Sequence, residues 1–388
     1  MDQRVAFIAD WLRDEWTMRE LAERYGISRK TSYKWVDRYT ADPEHGLAER
    51  SRAPKVHGRA MADAVRDAVI ALRRSHPHWG PKKLRAVLEA RAPQRVWPAA
   101  STVGDLLRRR GLSQPRRRPR YVVPLSQPLA AAHAPNDVWT ADFKGWFRTA
   151  DGTRCDPLTI VDACSRFVFC CRIVPPHEVG VRPWFDRTFR TYGLPRAVRT
   201  DNGPPFATTG AGQLSALAVW WLKLGIRVDR IDPGHPEQNG RHERFHLTLQ
   251  QETATPPAPT PHRQQARFDR LRREFNAVRP HEALGQVPPA RLYTASPRPY
   301  PARLEEPYYD ATHQVRRVRD NGEIKWRGEL VFVSAALRHE PVGLTETERG
   351  DWLVRFMHLE LGRIDRDTHR FTPAWHGRRR PRAAAETD

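Results

Sequence analysis

The chain has 388 residues, with 66 Lys and Arg against 45 Asp and Glu, a net charge of +21 and a pI near 10.6. That excess implies a polyanionic partner, because Lys and Arg gain affinity by displacing counterions from phosphates. The length allows several domains, each with its own core. No apolar run is long enough to span a bilayer, so no membrane role is expected. The charged opening MDQRVAFIADWLRDEW shows no secretory signal, and the cysteines (Cys155, Cys164, Cys170, Cys171) form no CxxC pair. A cytoplasmic protein without a zinc ribbon or disulfide framework is the expectation.

Residues 1–42 read as a helix-turn-helix. Val5, Ile8 and Leu12 stripe a first helix. Thr17 with Glu20 makes a capping box for a second, whose buried face is Leu21, Ala22 and Tyr25. Gly26 closes the turn, Ile27 anchors it, and Ser28 caps a third helix. Arg29, Lys30, Ser32, Tyr33 and Lys34 stand near the start of that helix, where a recognition helix meets base edges and phosphates. Trp35, Val36 and Tyr39 supply its core side. A small helical interaction bundle is the plainer alternative, and the basic residues favour DNA.

After a Pro- and Gly-containing linker, residues 60–112 form a second helical unit, helix-turn-helix or winged-helix-like. Val65, Val69 and Leu72 stripe its first helix, and Leu84, Val87 and Leu88 its second, which begins near Lys82 and Lys83; these two, with Arg108 and Arg109 at the end of the third helix, are expected to contact DNA. Ser101 is expected to cap the third, with Val103, Leu106 and Leu107 inside and Arg108 and Arg109 at its negative end. Residues 113–130 are a basic linker: Arg116, Arg117, Arg118 and Arg120 lie among prolines that cannot pack a core. They suit an arm laid along phosphates or in a minor groove.

Residues 131–295 carry the chemistry. Val138 to Phe143 reads as a strand bearing Asp142, and Arg196 to Thr200 as a strand that leads into Asp201. Glu243 follows the Pro233-Gly234 and Asn239-Gly240 breaks in a run that reads as helix. Three acids far apart in sequence suit a two-metal phosphodiester site, in which paired Mg²⁺ ions clamp the attacking and leaving oxygens. Strands over 158–161 and 167–173 meet at Asp162, which reads as a turn aspartate bonding its own backbone. Helices are expected over 185–192, 214–224 and 264–276, a strand over 226–231, and a proline-rich loop over 253–260. His235, His242 and His246 suit packing or phosphate contact beside Glu243 better than zinc, and Arg241 and Arg244 suit phosphate.

On the motifs TDNG (200–203), QNGRHER (238–244) and RPHEALGQVPPA (279–290), the segment from Pro135 to Arg291 resembles the catalytic core of retroviral-integrase-like DDE transposases encoded by bacterial insertion sequences. The resemblance implies an RNase H-like fold, Mg²⁺ or Mn²⁺ (two ions), and DNA strand transfer. It implies that Asp142 bridges the ions while Asp201 and Glu243 each hold one. Glu237 stands at the commonest family spacing from Asp201, but the family's glutamate follows the Asn-Gly pair, which selects Glu243.

Residues 305–370 alternate apolar and polar, with a hairpin signal at Asn321-Gly322. They read as a small antiparallel β barrel, SH3-like by analogy with the family, and 371–388 as a basic, disordered tail. The fold class expected is thus multidomain α/β: helix-turn-helix units, an RNase H-like core and a small barrel. The function expected is a transposase that binds element ends in double-stranded DNA, nicks them and joins the 3′-hydroxyls to target DNA. It would act beside the bacterial nucleoid as a homo-oligomer, since two ends must be joined. A DNA-binding regulator with a retired core, or a nuclease without strand transfer, is the alternative.

Overall fold

The computed structural model describes residues 3–49, 61–113, 132–232 and 240–374. Arg116, Arg117, Arg118, Arg120, His235, Glu237 and residues 375–388 of the basic tail lie outside them, while Phe371–Pro373, expected within the disordered tail, form a strand because they pair with Gly362–Ile364. The chain divides into two compact units, Met1–Ala62 and Asp63–Asp388.

Among its described residues, the first unit has the helices α1 (Gln3–Leu12), α2 (Met18–Arg24) and α3 (Arg29–Ala41). Both halves of the capping box form: Glu20 N–H donates to Thr17 Oγ1, and Thr17 N–H donates to Glu20 Oε2 at 2.8 Å. Gly26 takes the left-handed conformation (φ 63°), and Ser28 Oγ accepts from Thr31 N–H to start α3. The core is Phe7, Ile8 and Leu21, with Trp11, Trp35, Val36 and Tyr39 against it. The stripe expected on α1 is therefore rotated: Val5 and Leu12 are 48% and 58% exposed. Phe7 and Trp11 share a neighbouring stripe with Ile8 and bury more apolar area, so they face inward.

The second unit opens with α4 (Asp63–Ser75), α5 (Pro81–Arg91) and α6 (Ala100–Arg109) around Val69, Leu72, Trp79, Leu84, Val103 and Leu107. Ser101 does not cap α6. Its first helical bond runs from Val103 N–H to the Ala99 carbonyl, which makes Ala99 the cap and puts Ser101 within the first turn.

Next comes the central sheet. Its elements are β1 (Val138–Phe143), a small hairpin of β2 (Phe147–Arg148) and β3 (Arg154–Cys155), β4 (Pro157–Asp162), β5 (Val168–Ile173), α7 (Glu178–Tyr192), β6 (Ala197–Thr200), α8 (Ala216–Lys223), β7 (Arg227–Arg230), α9 (Gly240–Leu249) and α10 (Pro261–Ala277). The strand order is β5-β4-β1-β6-β7, with β4 and β5 antiparallel and β6 and β7 parallel to β1. Side-chain alternation sorts the two faces. Trp139, Ala141, Leu158, Ile160 and Val198 face α7 and α8, in a cluster with Phe185, Phe189 and Trp221. Val161, Val168 and Cys171 face α9 and α10, against Phe245, Leu249, Phe268 and Phe275. Asp162 is fully buried at the β4–β5 turn and accepts from Asn136 N–H (2.8 Å), Ser165 N–H (2.6 Å) and Ser165 Oγ (2.7 Å). The turn role read from sequence holds.

The C-terminal strands are β8 (Gln314–Arg317), β9 (Glu323–Trp326), β10 (Glu329–Phe332), β11 (Pro341–Glu346), β12 (Trp352–Phe356), β13 (Leu359–Ile364) and β14 (Phe371–Pro373). Five form an antiparallel sheet in the order β14-β13-β12-β11-β8, and β9 pairs with β10. Asn321-Gly322 does turn the chain, with Gly322 at φ 86°, but the strands beside it do not pair as a hairpin. β8 pairs with β11, and the true hairpin joins β9 to β10 at Arg327-Gly328, both at positive φ. The apolar core of this module (Trp326, Val342, Trp352, Phe356) is continuous with Ala218, Val219 and Leu222 of α8.

Replacing Asp162 with Ala strands two buried N–H groups. A loss of about 3 kcal/mol is expected in urea unfolding. Asp162→Asn, which keeps an acceptor oxygen, should lose less.

Candidate active site and nucleic-acid interface

The parallel ladder pairs Val138 with Ala197, Trp139 with Val198 and Thr140 with Arg199. Two residues further on each chain stand Asp142, at the end of β1, and Asp201, the first residue past β6. The two acids thus occupy neighbouring positions at the C-terminal edge of parallel strands. Both alternate to the face that α9 covers. Asp201 leads into a turn in which Asn202 Nδ2 donates to the Ile231 carbonyl (2.7 Å), tying it to the end of β7. A side chain on Gly203 would put its Cβ 3.3 Å from Asp201 Oδ2, so glycine lets the turn close over the acid. Burial raises the Asp201 carboxyl above its ordinary range, and the Gly203 N–H partly offsets this. Its Oδ1 is buried without a hydrogen-bond partner.

Glu243 is exposed in the first turn of α9. Its neighbour His242 is buried, with Nδ1 2.8 Å from Thr140 Oγ1 and Nε2 2.5 Å from Thr159 Oγ1. Thr159 is the cross-strand partner of Asp142, and its hydroxyl also lies 2.8 Å from His246 Nε2. α9 is therefore bonded to the strand that carries Asp142 and to the one beside it. Burial, with His246 nearby, pushes His242 well below its ordinary pKa. Burial, with Lys144 nearby, pushes His246 down to about 3. Both rings are neutral near pH 7, and the nitrogens a zinc ion would need are bonded to threonines. Among the described residues no three His, Cys, Asp or Glu side chains converge tightly enough to hold an ion. The fold brings Asp142 and Asp201 together and sets the helix of Glu243 beside them.

The expected DNA contacts divide. On α3, Arg29, Lys30, Tyr33 and Lys34 are exposed. Ser32 is not available: it is 0% exposed, and its Oγ donates to the Ser28 carbonyl (3.3 Å), on the face shared with Trp35 and Val36. On α6, Arg108 and Arg109 are exposed, Arg108 paired with Asp105 and Arg109 Nε donating to the Asp105 carbonyl. Lys82 and Lys83 turn instead toward the segment after α10. Lys82 Nζ meets Glu282 Oε1 at 2.6 Å. Lys83 is lowered to about 8, by burial first and by Arg279 second. Arg244 is exposed on α9; the Arg241 side chain lies outside the described set. Sequence reasoning passed over Lys144, Trp146, Arg148 and Arg154, just beyond Asp142. The signal was there, as cations interleaved with aromatics, of which Trp146 is exposed.

Comparison with known proteins follows the same division. Residues 3–55 match a helix-turn-helix domain family, and residues 31–107 a homeodomain-like domain family. Residues 132–236 and 224–289 match two families described as integrase core domain. Residues 313–372 match the C-terminal domain of IS481 family transposases. A 31.7 kDa protein of insertion element IS407 from Burkholderia multivorans is 30% identical over 286 residues, covering 71% of this chain and 94% of the relative. A 39.2 kDa protein of insertion element IS476 from Xanthomonas euvesicatoria is 27% identical over 313 residues, covering 78% and 85%. A chain of the simian T-cell lymphotropic virus intasome, solved with PP2A regulatory subunit B56 gamma, is 18% identical with a TM-score of 0.37, covering 74% of this chain and 91% of that one.

The buried histidines make stability depend on pH. A base held below its ordinary pKa costs nothing above about pH 6.5, and the cost grows as pH falls toward the folded value, about 3 for His246. Urea unfolding should therefore show stability falling between pH 7 and pH 5, by about 1 kcal/mol per unit for each such histidine. His246→Gln should flatten the slope, and an unchanged slope would mean that the ring titrates freely.

Proposed function

The chain belongs to the insertion-sequence DDE transposases with an integrase-like core, and from that premise we propose that it nicks the ends of its element and joins the exposed 3′-hydroxyls to target DNA, with Asp142, Asp201 and Glu243 as the catalytic acids. DNA transposition is the family's work, and the helix-turn-helix domains mark the chain as DNA-binding. The observation that carries the finer reading is the register of β1 and β6, which sets Asp142 beside Asp201 and leaves Asp201 Oδ1 buried without a partner. A buried carboxylate oxygen lacking a donor suits a cation, and an all-carboxylate set suits the hard ions Mg²⁺ and Mn²⁺. When bound, two such ions would supply the positive charge that stabilises an in-line phosphoryl transition state.

The protein's own groups would do the rest. Asp142 and Asp201 would hold their side of the site from rigid strands, and Glu243 would close it from α9. His242 and His246, neutral and engaged with Thr140 and Thr159, position that helix and are not placed to accept a proton. Exposed Arg29, Lys30, Tyr33 and Lys34 of α3, with Arg108 and Arg109 of α6, would hold the duplex by its phosphates and base edges. Arg244, one residue from Glu243, would hold a phosphate near the bond to be cut. Arg116, Arg117, Arg118, Arg120 and Arg241 would extend that contact. Joining two ends calls for a homo-oligomer. A regulator with a retired core is the weaker reading, because all three acids stand.

Asp142→Asn, Asp201→Asn and Glu243→Gln should each abolish nicking and strand transfer of labelled element ends while gel-shift binding persists. Glu237→Gln should be mild, and the reverse pattern would move the third acid to Glu237.

Mg²⁺ or Mn²⁺ should support the reaction and Ca²⁺ poorly, since Ca²⁺ takes more ligands at longer distances. End binding should survive EDTA. Strand transfer in EDTA would remove the metal from the mechanism.

A further inference from the structure

Beyond the acids, the chain leaves β1 through Lys144 and Gly145 and enters the β2–β3 hairpin. Trp146 stands at that entry, 57% exposed. It stands four positions beyond Asp142, so their Cα atoms are at most about 14 Å apart. Its surroundings are fixed. Phe147 packs inward on Phe268, and Cys155 is buried. Ala150 and Asp151 N–H groups donate to the carbonyls of Ala258 and Pro259. The hairpin is thus a rigid support with Trp146 at its outer edge.

Two guanidinium groups flank the ring. The Arg154 carbon lies 5.2 Å from the ring centroid and the Arg148 carbon 5.7 Å. Both distances exceed the roughly 3.5–4 Å of flat stacking, and with 57% of Trp146 exposed the ring keeps surface open to another flat group. Arg148 and Arg154 are also direct cross-strand partners, and like charges so placed oppose pairing. Asp156 compensates Arg154 with two bonds, at 2.8 and 2.7 Å. Arg148 donates to the Gly152 carbonyl (2.7 Å), and among the described residues it forms no ion pair. An exposed indole with an uncompensated cation beside it is the pairing that takes a nucleotide, base on ring and phosphate on guanidinium.

We propose that Trp146 is a stacking platform for an unpaired nucleobase of the DNA strand being processed, with Arg148 holding an adjacent phosphate. This rests on the transposase reading for its substrate. At 3.4 Å of rise per nucleotide, the stacked base lies within about four nucleotides of the bond that Asp142 serves. Stacking needs a base out of its pair, so the platform favours frayed over fully paired ends.

The test uses the full chain in EDTA with two probes, a short duplex with 2-aminopurine in its fully paired terminus and the same duplex with that terminus mismatched. Wild type should quench the mismatched probe more strongly. Trp146→Ala should abolish the difference and weaken binding of the mismatched probe about 5- to 150-fold, the range that 1–3 kcal/mol per stacked base implies. Trp146→Phe should keep most of both. Equal quenching by wild type and Trp146→Ala would overturn the proposal, as would an equal affinity loss for both probes. So would a change confined to sedimentation, which would make this a surface for a second copy of the chain. If wild type stacks the base yet never transfers a strand, the transposase reading fails and the platform stands. If wild type transfers strands and Trp146→Ala matches it on both probes, the reverse holds.

Discussion

The parallel pairing of β1 with β6 is the constraint on which the site depends. Side chains alternate along β1, so Trp139 and Ala141 enter one apolar cluster while Thr140 and Asp142 face α9. A slip of one residue would drive Asp142 into the cluster of Trp139 and Phe189, where an unpaired carboxylate is very costly. The apolar residues between the functional ones therefore hold the acids in register. The same strands govern the third acid. α9 is bonded through His242 to Thr140 on β1 and Thr159 on β4, so Glu243 follows any shift of that pair.

Much of the chain's positive charge is structural. Lys223 meets Glu340 at 2.7 Å and joins α8 to the C-terminal module, whose apolar core α8 also shares. Arg279, from the RPHEALGQVPPA motif, is buried and paired with Glu252. Arg154 is taken up by Asp156, and Lys82 by Glu282. Such pairs add little to phosphate affinity, because the cation already has its counter-charge and loses hydration on binding. Among the described residues, exposed cations without such a counter-charge include Arg29, Lys30 and Lys34 of α3, Arg148 beyond β1 and Arg244 of α9. A net charge of +21 thus reports the class of partner, and exposure with local pairing reports where it binds.

What was legible in the sequence was local. The bounds of β1, the Thr17–Glu20 box, the Ser28 cap and the Asp162 turn each follow from a few neighbouring residues, and each stands in the fold. Misreadings arose where a local signal competed with packing or with distant chain. Val5 and Leu12 made as regular a stripe as Phe7 and Trp11, and only the aromatic area decides between them. Ser32 sits at the start of a recognition helix, yet one step of 100° turns it inward. Asn321-Gly322 turned the chain as its chemistry demands, but β8 found its partner in β11, which no turn residue encodes. Lys82 and Glu282 meet only because the chain between them folds. For the acids, the motifs singled out candidates, and what the strand register adds is that two of them, Asp142 and Asp201, are neighbours.

The histidines beneath the acids show why the third element of the site is held by imidazole. An apolar residue at position 242 would remove the bonds that tie α9 to Thr140 and Thr159, leaving those hydroxyls with only the Val161 and Asp142 carbonyls and, for Thr159, His246. A lysine or arginine would satisfy them but bring a permanent positive charge beside Asp142 and Asp201. That charge would pair with the carboxylates and compete with any cation they are to hold. Buried imidazoles bond to both strands and, pushed below their ordinary pKa, add no charge. The site keeps its negative charge, and the helix of Glu243 keeps its anchor.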